Sequence, residues 1–329
     1  MKENDIRPQK LFERYLELSI KDARSMLKNS EKFVDVPCPG CGSTDRKPVY
    51  SKHGFNLNYC AVCNSLYCSP RPCPKQLDSF YKNSESANFW ANVFFPAVVQ
   101  SRRQNLFRPK AKAIYDMFWK DNFQPEVICD VGAGYGLLLE ELSLHWKSAQ
   151  LRAIEPNEEF VKICRQKGFK TLAKTVESAS EWSKGVNLVL CLEVIEHVYD
   201  TAIFVNSLFD LIKPGGYCLV TGLCSEGFDI QILKEKSNSV FPPHHINFLS
   251  VKGAEILFNK AGFKDIKITT PGQLDVDIVR NKIEQDKNLK IPNWVHTVLE
   301  RGDSACLDFQ SFLVKHNLSS HMWIVARKP

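Results

Sequence analysis

From residue 127 onward, short apolar runs alternate with stretches whose apolar residues recur at helical spacing. The runs Val127–Val131, Gln150–Ile154, Phe169–Leu172, Val186–Cys191, Tyr217–Gly222, Asp265–Thr270 and Met322–Arg327 have the length and residue types of strands. Strands separated by helices predict an α/β fold, with a mostly parallel sheet covered on both faces. One interval breaks the rhythm. Residues 275–320 carry Ile278, Ile283, Trp294, Val298 and Leu299 at helical spacing and read as a helical insertion before the last strand. Its position suits either core packing or a lid over the open end of a site. Upstream, Gln9–Leu27 and Leu77–Trp119 read as helical, with the proline-rich connector Ser69-Pro-Arg-Pro-Cys-Pro74 before the second. The expected organisation is an N-terminal helix (1–36), a cysteine-rich module (37–75), a helical linker (76–123) and a main α/β domain (124–329).

Bulk properties narrow this picture only slightly. Charged residues make up 24% of the chain and the formal net charge is +6, too mild to call for nucleic acid by itself. No apolar stretch reaches the ~20 residues needed to cross a bilayer. Met1–Lys10 is polar and lacks a signal-peptide core, so a cytoplasmic location without membrane attachment is expected. No pattern specifies an oligomeric state.

The cysteines change the picture more. Six of the 12 lie between Cys38 and Cys73. Cys38-Pro-Gly-Cys41 and Cys60-Ala-Val-Cys63, 18 residues apart, have the spacing of a four-thiolate zinc ribbon. Four thiolates close the coordination shell, so the expected zinc is structural. Cys68 and Cys73 fall outside the pattern and read as packing.

The strand Val127–Val131 carries Asp130 and opens into Gly132-Ala-Gly134-Tyr-Gly136, followed at once by a helix. Glycines at a strand's carboxyl end let the backbone turn and approach a ligand closely. The spacing is not the G-x-G-x-x-G of dinucleotide folds. A carboxylate at Asp130 would repel a pyrophosphate and attract an ammonium group. Glu155 ends the next strand, where a carboxylate can accept from both hydroxyls of a ribose.

These residues resemble those of the class I S-adenosylmethionine (SAM)-dependent methyltransferases, whose fold is a Rossmann-like seven-stranded sheet. The resemblance runs from about Gln124 to the end of the sequence. It implies that Asp130, Gly132, Gly134 and Gly136 form the methionine side of a SAM site, that Glu155 holds the ribose, and that Glu177 approaches the adenine. Asn187–Val198 matches the family's fourth-strand motif, which places Cys191 beside the cofactor. Leu211-Ile-Lys-Pro-Gly-Gly-Tyr217 matches the entry to its fifth strand. A cysteine module ahead of this domain resembles bacterial methyltransferases of sugars or small metabolites, so a sugar or nucleotide-sugar hydroxyl is the expected acceptor.

Two clusters are candidates for the chemistry. His244 and His245, in Phe241–Leu249, are candidate bases, because an imidazole titrates near operating pH. Glu193, Glu196 and His197, with one of those histidines, resemble the Glu-x-x-Glu-His of metal-assisted small-RNA 2′-O-methyltransferases, which implies magnesium as a Lewis acid on the acceptor. Two alternatives compete with a small-molecule enzyme. One is an RNA methyltransferase reading its substrate through Arg71, Tyr81, Phe89, Trp90, Arg102 and Arg103. The other is a SAM-binding scaffold without catalysis.

Overall fold

The computed structural model describes residues 3–329, with strands β1 (Arg46–Lys52), β2 (Phe55–Cys60), β3 (Leu66–Cys68), β4 (Val127–Val131), β5 (Gln150–Ile154), β6 (Lys170–Leu172), β7 (Val186–Leu192), β8 (Ile212–Leu223), β9 (Asn247–Phe248), β10 (Lys264–Thr269) and β11 (His321–Arg327). Seven of them form one sheet in the order β10-β11-β8-β7-β4-β5-β6. Neighbours from β6 through β8 pair in parallel, and β11 runs antiparallel to both β8 and β10. The expected α/β class is present, and the last two strands close the sheet as a reversed pair.

Period-two alternation explains why this sheet is covered twice. Cys129, Val131, Val189, Val220 and Ile324 point to one face, under the helices Thr201–Leu211 and Val251–Lys260. Ile128, Leu188, Leu190, Leu219 and Trp323 point to the other, under Arg108–Lys120 and Leu137–Ser143. The predicted helix Leu77–Trp119 is interrupted by π turns at Trp90–Phe94 and Arg103–Phe107. Such turns redirect side chains along an otherwise regular helix.

The small sheet has the order β1-β2-β3-β9, so residues 37–75 do not complete it alone. Its fourth strand, Asn247–Phe248, comes from the segment after β8. Thr201 Oγ1 donates to the Pro39 carbonyl (2.6 Å) and Lys260 Nζ to that of Cys41 (2.6 Å), fixing the module to the main domain.

The insertion forms three helices, Asp275–Gln285, Asn293–Glu300 and Asp303–Lys315. Val276, Val279, Val295, Cys306 and Leu313 pack with Phe228 and Leu233. Asp275 pins it, accepting from Ser319 Oγ (2.5 Å), the Ser320 amide (2.6 Å) and Gln310 Nε2 (2.9 Å). Asp229 beside it is fully buried, and neither of its oxygens meets a donor in hydrogen-bond geometry. Burial and the Asp275 charge push its pKa up to about 8. Folding therefore takes up a proton here, and stability declines as pH rises from the ordinary carboxylate range to about 8. Asp229→Asn is expected to raise the melting temperature, by several degrees at pH 8.5 and little at pH 4. An equal gain at both pH values would contradict this placement.

Candidate active site

The glycine loop follows β4 with positive φ at Gly132 (+74°) and Gly134 (+51°). A Cβ at Gly132 would lie 2.5 Å from Val194 Cγ2, whereas one at Gly134 would meet nothing within 4 Å. The first glycine is thus required by the turn and its neighbour, while the second leaves backbone open to a ligand. The Gly134 amide donates to Glu155 Oε2 (2.8 Å) and the Asn157 amide to Oε1 (2.9 Å). Asp130 pairs in register with Ala153, so Asp130 and Glu155 end adjacent strands. Both are buried, and burial followed by the Glu155 charge raises the Asp130 pKa to about 8. Burial also raises that of Glu155, against the two amides that favour its ionised form. Two carboxyl groups this close and dry suit a cationic ligand with hydroxyls.

Over the loop, Tyr135 stacks on Phe95 (centroids 4.5 Å apart) and donates its hydroxyl to the Ala91 carbonyl (2.6 Å). Glu177 is exposed on the turn Val176–Ser178 after β6. The Cys191 side chain is fully buried in the core of one sheet face, so it packs rather than faces a ligand.

Beyond the carboxyl ends of β7 and β8 lies a cavity of about 430 Å³, walled by Ile6 and Arg7, by Arg102–Met117 side chains, by the first turn of the insertion and by Glu193, His321 and Trp323. Glu193 Oε1 accepts from Thr221 Oγ1 (2.6 Å) and lies 3.2 Å from His321 Nδ1 and 3.4 Å from Lys110 Nζ. Burial opposes ionisation of Glu193, but His321, Lys110 and the Thr221 hydroxyl outweigh it and hold its pKa well below the usual range. Trp323 Nε1 donates to His321 Nε2 (3.0 Å). Hence His321 carries its proton on Nδ1, toward Glu193. Burial lowers its pKa to about 4, against the attraction of Glu193, so the ring is neutral at pH 7. Glu193 itself sits at φ +55°, a conformation rare outside glycine and enriched at functional sites.

The two histidines expected as bases lie elsewhere. His244 is buried against Phe80 and Tyr15 and its Nε2 bonds to Ser86 Oγ (3.1 Å). His245 Nδ1 bonds to the Ser239 carbonyl (2.6 Å) and His197 Nδ1 to that of His244 (2.8 Å). Neither His244 nor His245 lines the cavity. Glu196, His197 and His245 do form a compact set, with one ligand atom from each within 4.8 Å of the others. Glu193 is not in it, being held by Lys110, Thr221 and His321. Two imidazoles and one carboxylate do not make the oxygen shell magnesium takes, and suit zinc, manganese or iron better.

Of the residues expected to read RNA, Arg71, Arg103 and Trp90 are engaged within the protein. Arg71 is buried and donates to the carbonyls of Cys68, Tyr199 and Ile246. Arg103 pairs with Glu140 and Glu141, and Trp90 stacks on Phe94. Arg71 and Arg103 thus spend their guanidinium donors on internal acceptors. His321, Lys110 and Arg7 went unnoticed in the sequence because each stands alone, far from any motif.

At the small sheet, Cys38, Cys41, Cys60 and Cys63 offer sulfurs within 4.8 Å of one another. The two turns are alike. The Gly42 and Asn64 amides donate back to the Cys38 and Cys60 carbonyls (2.9 and 3.0 Å), both from positive φ. The Val62 amide also donates to Cys60 Sγ (3.4 Å). Sulfurs around a tetrahedral zinc lie roughly 3.8 Å apart, and the 3.4 and 3.5 Å pairs here are close to that. Cys68 is core, and Cys73 begins the helix Pro74–Asn83.

Among known proteins, the family described as a methyltransferase domain matches residues 100–268, about half of the chain. A ubiquinone biosynthesis O-methyltransferase from Xanthomonas oryzae is 33% identical over 103 residues, covering 29% of this chain and 42% of that protein. One from Methylocella silvestris is 35% identical over 95 residues, 27% of this chain and 36% of that protein. The chain thus spans less than half the length of these curated relatives. A solved SAM-dependent methyltransferase from Thermotoga maritima, described as a possible histamine N-methyltransferase, covers 73% of this chain and 99% of its own, at 18% identity and a TM-score of 0.45. On the extent of the family match, the chain belongs to the methyltransferase-domain family.

Proposed function

We propose that the protein is a SAM-dependent methyltransferase acting on a hydroxyl of a small molecule, with a sugar or nucleotide-sugar as the acceptor class. The observation that carries this reading is the buried Asp130–Glu155 pair beside the open backbone of Gly134. The cavity at the ends of β7 and β8 has the size of a small-molecule site.

Bound SAM supplies an electrophilic methyl group on sulfur. The chain's part is to seat the acceptor oxygen in line with that methyl and to take its proton. In this reading the acceptor hydroxyl replaces the Trp323 N–H at His321 Nε2. The oxygen lone pair would displace the methyl group from the donor's sulfur, which would keep the bonding pair, while His321 Nε2 would take the hydroxyl proton. Glu193 keeps the ring oriented and stabilises the imidazolium. His321 thus takes the role expected of His244 or His245. Such a dyad also favours an enzyme over a scaffold without catalysis.

A divalent ion at Glu196, His197 and His245 is a second reading, favoured by their convergence and by Nδ1 bonds that leave each Nε2 as the acceptor. For the four cysteines we propose a structural zinc. The direct test is transfer of label from radiolabelled SAM to fractions of a cell extract. Labelling of a small molecule by the wild type, surviving mild chelation that leaves the ribbon zinc in place, supports the leading reading. Labelling that requires a re-added divalent ion supports the second. Labelled RNA, with no labelled small molecule, would overturn both the acceptor class and the site.

Glu155→Ala is expected to weaken binding of S-adenosylhomocysteine (SAH), the demethylated product, by about a hundredfold or more, since two charge-assisted hydrogen bonds to the ribose contribute about 1.5–3 kcal/mol each. Isothermal titration reads this out. Unchanged affinity would place the ribose elsewhere.

A further inference from the structure

Two guanidinium groups at the proposed acceptor cavity have no role in the chemistry above. Arg102 ends the helix Phe95–Arg102, immediately before the π turn Arg103–Phe107. That turn sends the neighbouring arginines different ways. Arg103 pairs with Glu140 and Glu141, whereas Arg102 joins the cavity wall. Among the described residues Arg102 has no hydrogen-bond or ion-pair partner, and its Nε is buried without an acceptor. Its guanidinium lies 5.7 Å from the Trp90 ring centroid and 5.4 Å from that of Phe95. The rings hold the cation in place and leave its N–H groups unmatched.

Arg7 reaches the same wall from the N-terminal segment. Its nearest carboxylate is Glu3, at 3.7 Å, beyond hydrogen-bond reach, and its Nε is also buried without an acceptor. The two cations oppose each other. Burial first, and then the Arg7 charge, lower the Arg102 pKa to about 10. A third cation, Lys110, is already matched by Glu193. Like charges converging on one cavity with unmatched donors are costly unless an anion joins them.

We infer that Arg7 and Arg102 form an oxyanion subsite in the acceptor cavity, so that the acceptor carries a phosphate or carboxylate besides the hydroxyl to be methylated. Guanidinium donors suit both groups, since each accepts two parallel N–H bonds. The inference rests on the reading of this cavity as the acceptor site. It also sharpens that reading, because a neutral sugar would leave both arginines unmatched whereas a sugar phosphate or nucleotide-sugar would not.

The test titrates inorganic phosphate, pyrophosphate and succinate into the full chain saturated with SAH, comparing wild type with Arg102→Gln, Arg102→Lys and Arg7→Gln. SAH affinity, zinc content and melting temperature serve as controls. At least one probe is expected to bind the wild type with an affinity that falls with salt. Arg102→Gln should weaken it about tenfold or more, Arg7→Gln should weaken it less, and Arg102→Lys should retain part of it. Phosphate or pyrophosphate binding identifies a phosphorylated acceptor, and succinate binding a carboxylated one. Failure of all three probes, or binding indifferent to both arginines, would overturn the subsite while leaving the cofactor reading intact. A folded Arg102→Gln that loses SAH affinity would assign Arg102 to the cofactor's carboxylate and also overturn it. A wild type that does not bind SAH would instead sink the methyltransferase reading itself.

Discussion

His321→Ala should lower kcat by roughly 10²- to 10⁴-fold, the usual contribution of a positioned general base, while leaving SAH affinity within about twofold. The split between turnover and binding is the informative part. His321 faces the acceptor cavity and is separate from the glycine loop, so its loss should not disturb the cofactor. Glu193→Gln should also lower kcat steeply, by up to about 10⁴-fold, because an amide no longer offsets the imidazolium charge and can hold the ring in the wrong tautomer. The pH profile carries a further signature. Burial lowers the His321 pKa to about 4, so the neutral, proton-accepting form persists well below the pH where an ordinary histidine would be charged. At saturating SAM, kcat should therefore be level from pH 8 to about 5.5 and fall on an acid limb near 4. Full turnover in His321→Ala with loss in His245→Ala would return the base to the segment after β8, and a wild-type limb near 6.5 would contradict a buried His321 as the base.

The second large effect concerns the cysteines. Structural zinc contributes about 10–16 kcal/mol of apparent binding free energy in small zinc-dependent modules, comparable to the whole stability of a typical domain. The purified chain should contain one zinc. Cys60→Ser should lose it, with a fall in melting temperature of ten degrees or more. The damage should also spread. β9 completes the small sheet and begins two residues after His245, and the Ser250 amide and Oγ bond to Ser65 and Cys63 of the cysteine module. Melting the module would therefore loosen 244–250 and, through Ser239, the cavity wall. Activity should fall together with zinc content during slow chelation. Activity that outlasts complete zinc loss would show that the module is a separate attachment.

Much of this architecture is legible in the chain because it depends on local pattern. β4 begins and ends where its apolar run does, since its residues must suit a sheet buried on both faces. Glycine at 132 and the acids at 130 and 155 are legible for a similar reason. The turn after a parallel strand restricts which residue types fit, and the ligand restricts them again. The four-cysteine spacing carries its own geometry.

The proposed acceptor side was largely hidden for the opposite reason. Glu193 stands in a motif, but Arg7, Lys110 and His321 lie up to 314 positions apart and join it only through tertiary packing. Adjacent histidines at 244 and 245 drew attention as a pair, yet the chain turns one into aromatic packing and the other onto a carbonyl. Glu193 and Glu196, three positions apart, also diverge. The positive φ at Glu193 turns it toward His321, while Glu196 stays buried beside His197 and His245. Nothing in the spacing announces that backbone reversal. The extension of the small sheet by Asn247–Phe248 is equally non-local, because a two-residue strand has no period to read.

The claim on which the rest depends is that the loop after β4 holds the methyl donor. Isothermal titration of SAH into the wild-type chain, His321→Ala and Glu155→Ala tests it most directly. One-to-one binding to the first two, weakened by about a hundredfold or more in the third, is the predicted result. Absence of binding to the wild type, or equal binding in all three, would contradict it.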